Sequence, residues 1–187
     1  MRRDDCLRVL ARFRRDQIVV ATYQAAFDWM RIAPSPLNYV SIGAMGQASS
    51  HALGLALGRP DRQVIVLDGD GSLLMNLGTL VTIASQKPAN LVHFLCENGT
   101  YEANGNHPIP GQGKVDFAGL ARAAGYVKTY EIAELGDFET RIAGILREDG
   151  PIFVDLKLVA GDPPPQDYTF IHGPEARATF RQALRRA

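Results

Sequence analysis

Asp70 stands between two glycines, and Asn98 follows it 28 positions later. These are the residues whose types and spacing best fit chemistry. A carboxylate offers a charged oxygen ligand and a carboxamide a neutral one. With a backbone carbonyl near Thr100 they make a donor set for a hard cation, Mg2+ or Ca2+, whose other positions go to water and phosphate oxygens. Gly69 and Gly71 let a ligand approach the backbone closely, and the amides that follow can cradle phosphate. Ser72 adds a hydroxyl at the start of the next helix. On its own, Gly69-Asp70-Gly71 reads equally well as a tight turn with Asp70 as a helix cap. The polar cluster at Glu97-Asn98 tips the balance toward a metal.

The two clusters meet only if the chain between them folds suitably. Val64 to Leu67 is a continuous apolar run that enters the Asp68-Gly69-Asp70-Gly71-Ser72 turn. A helical stretch follows, then a second apolar run, Leu91 to Cys96. That pattern predicts one strand–helix–strand unit. In a parallel sheet the carboxyl ends of both strands share one edge, which brings Asp70 and Asn98 together.

Other segments alternate in the same way. Helices are expected over 4–14, 22–31, 47–57, 115–124, 133–148 and 175–185. Strands are expected over 17–21, 38–41, 126–130 and 151–156. The Gly- and Pro-rich stretch 99–113 reads as a long loop, and 161–167 as a stiff connector. The alternation predicts an α/β fold: a doubly wound, mainly parallel sheet flanked by helices on both faces, with residues 1–187 as a single domain.

Composition narrows the function classes. Twenty basic and twenty acidic residues cancel, which leaves no electrostatic footprint for nucleic acid or an acidic membrane. The basic run from Arg2 to Arg15 alternates with apolar residues and reads as the solvated face of a helix. Two cysteines are too few for a disulfide framework or an iron–sulfur cluster. With no membrane-length apolar run, the expected setting is cytoplasmic.

The triplet Gly69-Asp70-Gly71, then residues 72–96, then Glu97-Asn98, resembles the cofactor motif of thiamine-diphosphate enzymes. The stretch Gly43-Ala44-Met45-Gly46, followed by ALGLALGRPDRQVIVLDGDGSLLMNLGTL, resembles one branch of them: the β subunit of sulfopyruvate decarboxylase and the matching part of phosphonopyruvate decarboxylase. The resemblance implies the thiamine-diphosphate-binding fold, with Mg2+ held by Asp70, the Asn98 side chain and the Thr100 carbonyl. It implies cofactor contacts from Gly43, Met45, Gly69, Asp70, Gly71, Ser72, Asn98, Thr100 and Tyr101. Met45 would wedge between the two rings of the cofactor and keep it bent. One departure is visible: Glu97 occupies the first position of the motif's closing Asn pair.

The family's activating glutamate belongs to a separate pyrimidine-binding domain, and no glutamate here lies in that context. The resemblance therefore implies a diphosphate-binding subunit that works with a pyrimidine-binding α subunit, pairs with itself as a dimer, and acts on a small 2-oxo acid. The reaction expected is decarboxylation of a 3-sulfo- or 3-phosphono-pyruvate-like substrate. The alternatives are a carboligase subunit of the acetolactate-synthase kind and a non-catalytic cofactor-binding subunit. Glu102 and His107, in the loop past the motif, are the candidates for facing substrate or moving a proton.

Overall fold

Runs of four or more consecutive apolar residues suit strands covered on both faces, and that is what they form here. The computed structural model describes residues 1–40, 45–161 and 164–186. The central strands β1 (Ile18–Ala21), β3 (Val64–Gly69), β4 (Leu91–Glu97) and β8 (Ile152–Lys157) are buried almost end to end. The flanking strands β2 (Asn38–Val40) and β7 (Lys128–Ile132) are less buried and close the edges. Together they make a six-stranded sheet in the order β2-β1-β3-β4-β8-β7, with every pairing parallel.

Alternation along each strand divides the core into two layers. Ile65 and Leu67 face one side with Val92, Phe94 and Val154. There they meet Leu7 and Leu10 of α1 (Arg3–Ala11), Trp29 of α2 (Tyr23–Ile32), and Phe138 and Ile142 of α7 (Leu135–Ile145). Val64 and Val66 face the other side with Leu91, Leu95 and Phe153. That side is covered by α3 (Ala48–Gly58), α4 (Asp70–Met75), α5 (Thr79–Gln86) and α6 (Phe117–Ala124), and by Phe180 of α9 (Pro174–Arg186). Helices on both faces of a parallel sheet match the fold class expected from the sequence.

Local chemistry sets several boundaries. Asp116 caps α6 by accepting from the Gly119 amide at 2.6 Å, and Gly125 ends that helix in the left-handed region at φ +106°. The cap explains why α6 starts at Phe117 rather than 115. Trp29, the one tryptophan, is fully buried, donates from Nε1 to Asn38 Oδ1 at 3.0 Å, and lies under the Arg14 guanidinium. That bond ties α2 to the edge strand β2. His93 is buried in β4, with Nδ1 3.3 Å from the Tyr126 hydroxyl and its ring edge-on to Phe153.

Two expectations change, and one element is new. The helix after the Asp70 turn is two helices, α4 and α5, because Asn76 leaves the helical region at φ −144° and Gly78 starts a new turn. The stretch 99–113 holds regular structure after all. It forms an antiparallel hairpin of β5 (Thr100–Tyr101) and β6 (His107–Pro108) around a 3-10 turn at Glu102–Asn104. Gly105 and Asn106, at φ +85° and +60°, turn the chain back. A short helix, α8 (Tyr168–His172), capped by Asp167, precedes α9 in a stretch to which the sequence pattern assigns no element.

Candidate cofactor site

Strand order reverses between β1 and β3, since β1 leads outward to β2 while β3 leads the other way to β4. In sheets of this kind the crevice at such a reversal, beyond the carboxyl ends of the strands, is where ligands bind. Here the crevice is lined by Thr22 to Ala25 after β1, Gly69 to Ser72 at the end of β3 and beyond, Cys96 at the end of β4, and Asn98 and Thr100 to Ala103 after it. Met45 and Arg3 complete its walls.

Asp70 lies at its floor, 2% exposed. Its Oδ1 accepts from the Gly71 amide at 2.7 Å, and its Oδ2 from the amides of Asn98 at 3.0 Å and Gly99 at 2.6 Å. The carboxylate thus ties the turn after β3 to the turn after β4, as the strand–helix–strand argument requires. Burial pushes its pKa up to about 6 against the pull of the three amides. Among the described residues no Lys, Arg or His forms an ion pair with it.

The neighbours are equally defined. The Ser72 hydroxyl oxygen accepts from the Gly46 amide at 2.9 Å, which leaves its proton free to donate. Asn98 Oδ1 accepts from the Thr100 amide at 2.9 Å and from the Thr100 hydroxyl at 3.2 Å. That hydroxyl has a second acceptor, Asn106 Oδ1, at 3.3 Å, so it can turn away from Asn98. Gly71 leaves room for the Tyr101 ring, since a β-carbon there would fall 2.5 Å from Tyr101 Cδ1. Gly99 sits at φ +76°, the left-handed region that glycine adopts freely.

This donor set suits a hard divalent cation with a phosphate. Asp70 Oδ1 accepts one hydrogen bond and keeps a lone pair; Asn98, whose backbone amide bonds Asp70, adds a side-chain amide oxygen from the same crevice. Among the described residues no group of three or more His, Cys, Asp or Glu could hold a metal. A cation here would therefore take its other ligands from a backbone carbonyl, water and the bound anion. A larger cavity of about 980 Å³, lined by Phe27, Tyr39, Phe170 and Phe180 among others, contains none of these turn residues.

The family described as "Thiamine pyrophosphate enzyme, C-terminal TPP binding domain" matches residues 19–156, well over half of the chain. The chain belongs to the thiamine pyrophosphate enzymes. It is 40% identical over 131 residues to the β subunit of sulfopyruvate decarboxylase from Methanothermobacter thermautotrophicus, covering 70% of this chain and 67% of that one. It is 36% identical over 155 residues to phosphonopyruvate decarboxylase from Streptomyces viridochromogenes, covering 82% of this chain and 38% of that protein. The thiamine diphosphate-dependent 4-hydroxybenzoylformate decarboxylase of Rhodococcus jostii RHA1 has the same fold, with a TM-score of 0.70 at 24% identity over 87% of this chain and 33% of that one. The chain thus spans about a third of the longer phosphonopyruvate relatives and two thirds of the β subunit.

Within this thiamine pyrophosphate-binding unit, Met45, Gly69, Asp70, Gly71, Ser72, Asn98, Thr100 and Tyr101 come together in one crevice. Gly43 lies outside the described residues. Glu102 reaches the crevice but is held in an ion pair with Arg3. His107 does not reach it: it is exposed on β6 and does not line the cleft. Glu97, the departure from the motif, bonds at 2.7 Å to Lys157, its partner across the sheet, which also contacts Glu131 and Asp155. Its charge is answered there rather than at the metal position.

Sequence reasoning missed Arg3 and the Thr22 to Ala25 turn. Tyr23 carries the clearest signal, although only in three dimensions: a bulky residue at φ +49°, beside the crevice, where backbone strain is common.

Proposed function

We propose that this chain is the diphosphate- and Mg2+-binding subunit of a two-subunit thiamine-diphosphate-dependent decarboxylase. Its substrate would be a 2-oxo acid with an anionic head group, 3-sulfo- or 3-phosphono-pyruvate-like. The observation that carries the reading is the Asp70 carboxylate, buried, paired with no Lys, Arg or His among the described residues, and held by three amides between the Gly69–Ser72 and Asn98–Thr100 turns. The names of the relatives, a sulfopyruvate decarboxylase subunit beta and a phosphonopyruvate decarboxylase, support the substrate class.

Asp70, Asn98 and the Thr100 carbonyl would hold the metal. The Ser72 hydroxyl, with its oxygen already engaged by Gly46, would donate to the diphosphate. Gly69 and Gly71 keep that wall clear of side chains, and Met45 and Tyr101 would pack on the cofactor. Bound thiamine diphosphate supplies an electron sink for the loss of CO2. The carboxylate that activates it would come from a pyrimidine-binding partner. The two cysteines are free and buried, in keeping with a reducing, cytoplasmic setting, and burial raises the pKa of each thiol.

The test is co-expression with a pyrimidine-binding subunit and a panel of 2-oxo acids scored for CO2. The complex should release CO2 from sulfonate- or phosphonate-bearing pyruvates, and the isolated chain should not. Robust turnover by the isolated chain would sink the two-subunit reading. Carbon–carbon coupled products in place of the aldehyde would point to the carboligase alternative.

A further inference from the structure

Glu102 was a candidate for moving a proton, yet the structure employs both of its oxygens elsewhere. Oε1 accepts from Arg3 Nη2 at 3.4 Å, and Oε2 accepts from Arg3 Nη1 and from Asn98 Nδ2, the latter at 3.2 Å. The Arg3 and Glu102 side chains are 11% and 5% exposed. Arg3 also donates from Nε to Asp28 Oδ2 at 2.9 Å, and Asp28 accepts from Arg31 at 3.2 Å. A continuous chain of charged hydrogen bonds therefore runs from α2, through the first residue of α1, to the turn after β4. Burial works against the Arg3 charge, yet its bonds to Glu102 and Asp28 raise its pKa above the ordinary arginine value.

We propose that Arg3 and Glu102 are positioning residues that hold the Asn98 carboxamide with its oxygen turned to the metal position. This rests on the reading of the crevice as a Mg2+–diphosphate site. An ionised carboxylate only accepts, so the Asn98 NH2 must face Glu102. The Asn98 oxygen must then face the other way, where the Thr100 amide donates to it. A carboxamide turned over would set oxygen against carboxylate and NH2 against N–H, two mismatches at once. Glu102 can enforce this only while its own plane is fixed. The planar fork of Arg3 does that, gripping both oxygens while Nε is anchored on Asp28. Metal ligands are commonly oriented by such outer partners. The Arg3 side chain is largely buried at the start of α1, whereas Arg8 of the same helix is exposed.

The test is the Mg2+ requirement for thiamine diphosphate binding, read by titration calorimetry on the full chain. The variants are Glu102→Gln, the double Arg3→Gln/Glu102→Gln, which strands neither charge of the pair, and Arg3→Lys, which keeps the charge and loses the fork. Each should need about tenfold more Mg2+ for half-maximal binding, the usual effect of losing an outer partner of a metal ligand. Saturating Mg2+ should then restore the cofactor affinity of the wild type. In the metal-free chain, the two proton resonances of the Asn98 side-chain amide should move toward those of an exposed amide. An unchanged Mg2+ requirement in the folded variants overturns the proposal, as does a loss of cofactor affinity that Mg2+ cannot restore. If the wild type binds no thiamine diphosphate with Mg2+ present, the site reading itself fails and the proposal falls with it. If the wild type binds and the variants match it, only the proposal fails.

Discussion

Replacing Gly71 by alanine sets two opposing effects against each other in the wall of the crevice. Gly71 lies in α4, where alanine is the better helix former by about 1 kcal/mol. The new β-carbon would fall 2.5 Å from Tyr101 Cδ1, closer still to Cε1, and 3.3 Å from Ile109 Cγ2. Carbon atoms are at ease near 3.5–4.0 Å, so the ring must shift by about 1 Å or leave. Overpacking of that kind costs about 1–3 kcal/mol. Ejecting the half-buried ring instead forfeits part of its burial, about 1–2 kcal/mol. The cheaper route, ejection at about 1–2 kcal/mol, sets the outcome, and the helix gain offsets only part of it because Gly71 is the second residue of α4 rather than an interior one. Gly71→Ala should therefore destabilise the chain by about 1 kcal/mol in urea unfolding. In a Tyr101→Ala background the ring clash is gone and only the 3.3 Å contact with Ile109 opposes the helix term, so the same substitution should be close to neutral. Thiamine diphosphate titrations should weaken in parallel in the single variant, because Thr100 adjoins the displaced ring. An equal cost of Gly71→Ala in both backgrounds would refute the reasoning, since Tyr101 would then not be what keeps residue 71 small.

Two further outcomes follow from the same geometry. Asp70→Asn removes the charge and turns one acceptor into a donor facing backbone N–H groups; with Mg2+ present it should weaken cofactor binding by about 100-fold, the ~3 kcal/mol of a lost charged contact, while circular dichroism shows the fold retained. Asp155 is fully buried, and burial together with Glu97 pushes its pKa up although Lys157 pulls it down. The native state then holds this proton more tightly than the unfolded chain, so its contribution favours folding most at acid pH and is lost as pH rises through the raised pKa. Asp155→Asn cannot ionise, so its stability relative to wild type should improve from pH 5 to pH 8. A difference that stays flat with pH would show that Asp155 titrates normally.

What could be read directly from the sequence was whatever is local or periodic. The apolar runs Val64 to Leu67 and Leu91 to Cys96 predict buried parallel strands because nothing else keeps both faces of a short segment dry. The Gly69-Asp70-Gly71 turn follows from their carboxyl ends, and so does the meeting of Asp70 with the Asn98 turn. Strands of two residues, such as Thr100–Tyr101, are too short to leave a period, which is why the hairpin read as loop. The break at Asn76 to Gly78 hid inside an apolar stretch that suits one helix as well as two. Contacts between charges distant along the chain were illegible. Arg3 and Glu102 lie 99 positions apart, and Glu97 and Lys157 60, with no local pattern to join them. Their pairing follows only from strand order and from where α1 crosses the sheet.

The solitary indole has an optical consequence. Trp29 is sealed from solvent, bonded to Asn38 and adjacent in α2 to Asp28, the anchor of Arg3. Its emission should therefore be blue-shifted in the native state relative to the unfolded chain, with no other tryptophan to mask it. Since α2 begins at the crevice and the Asp28–Arg3–Glu102 chain ends at Asn98, a ligand that tightens the crevice pulls on the surroundings of the one fluorophore. A shift in Trp29 emission on titration with thiamine diphosphate and Mg2+ is the expected outcome, read without a label.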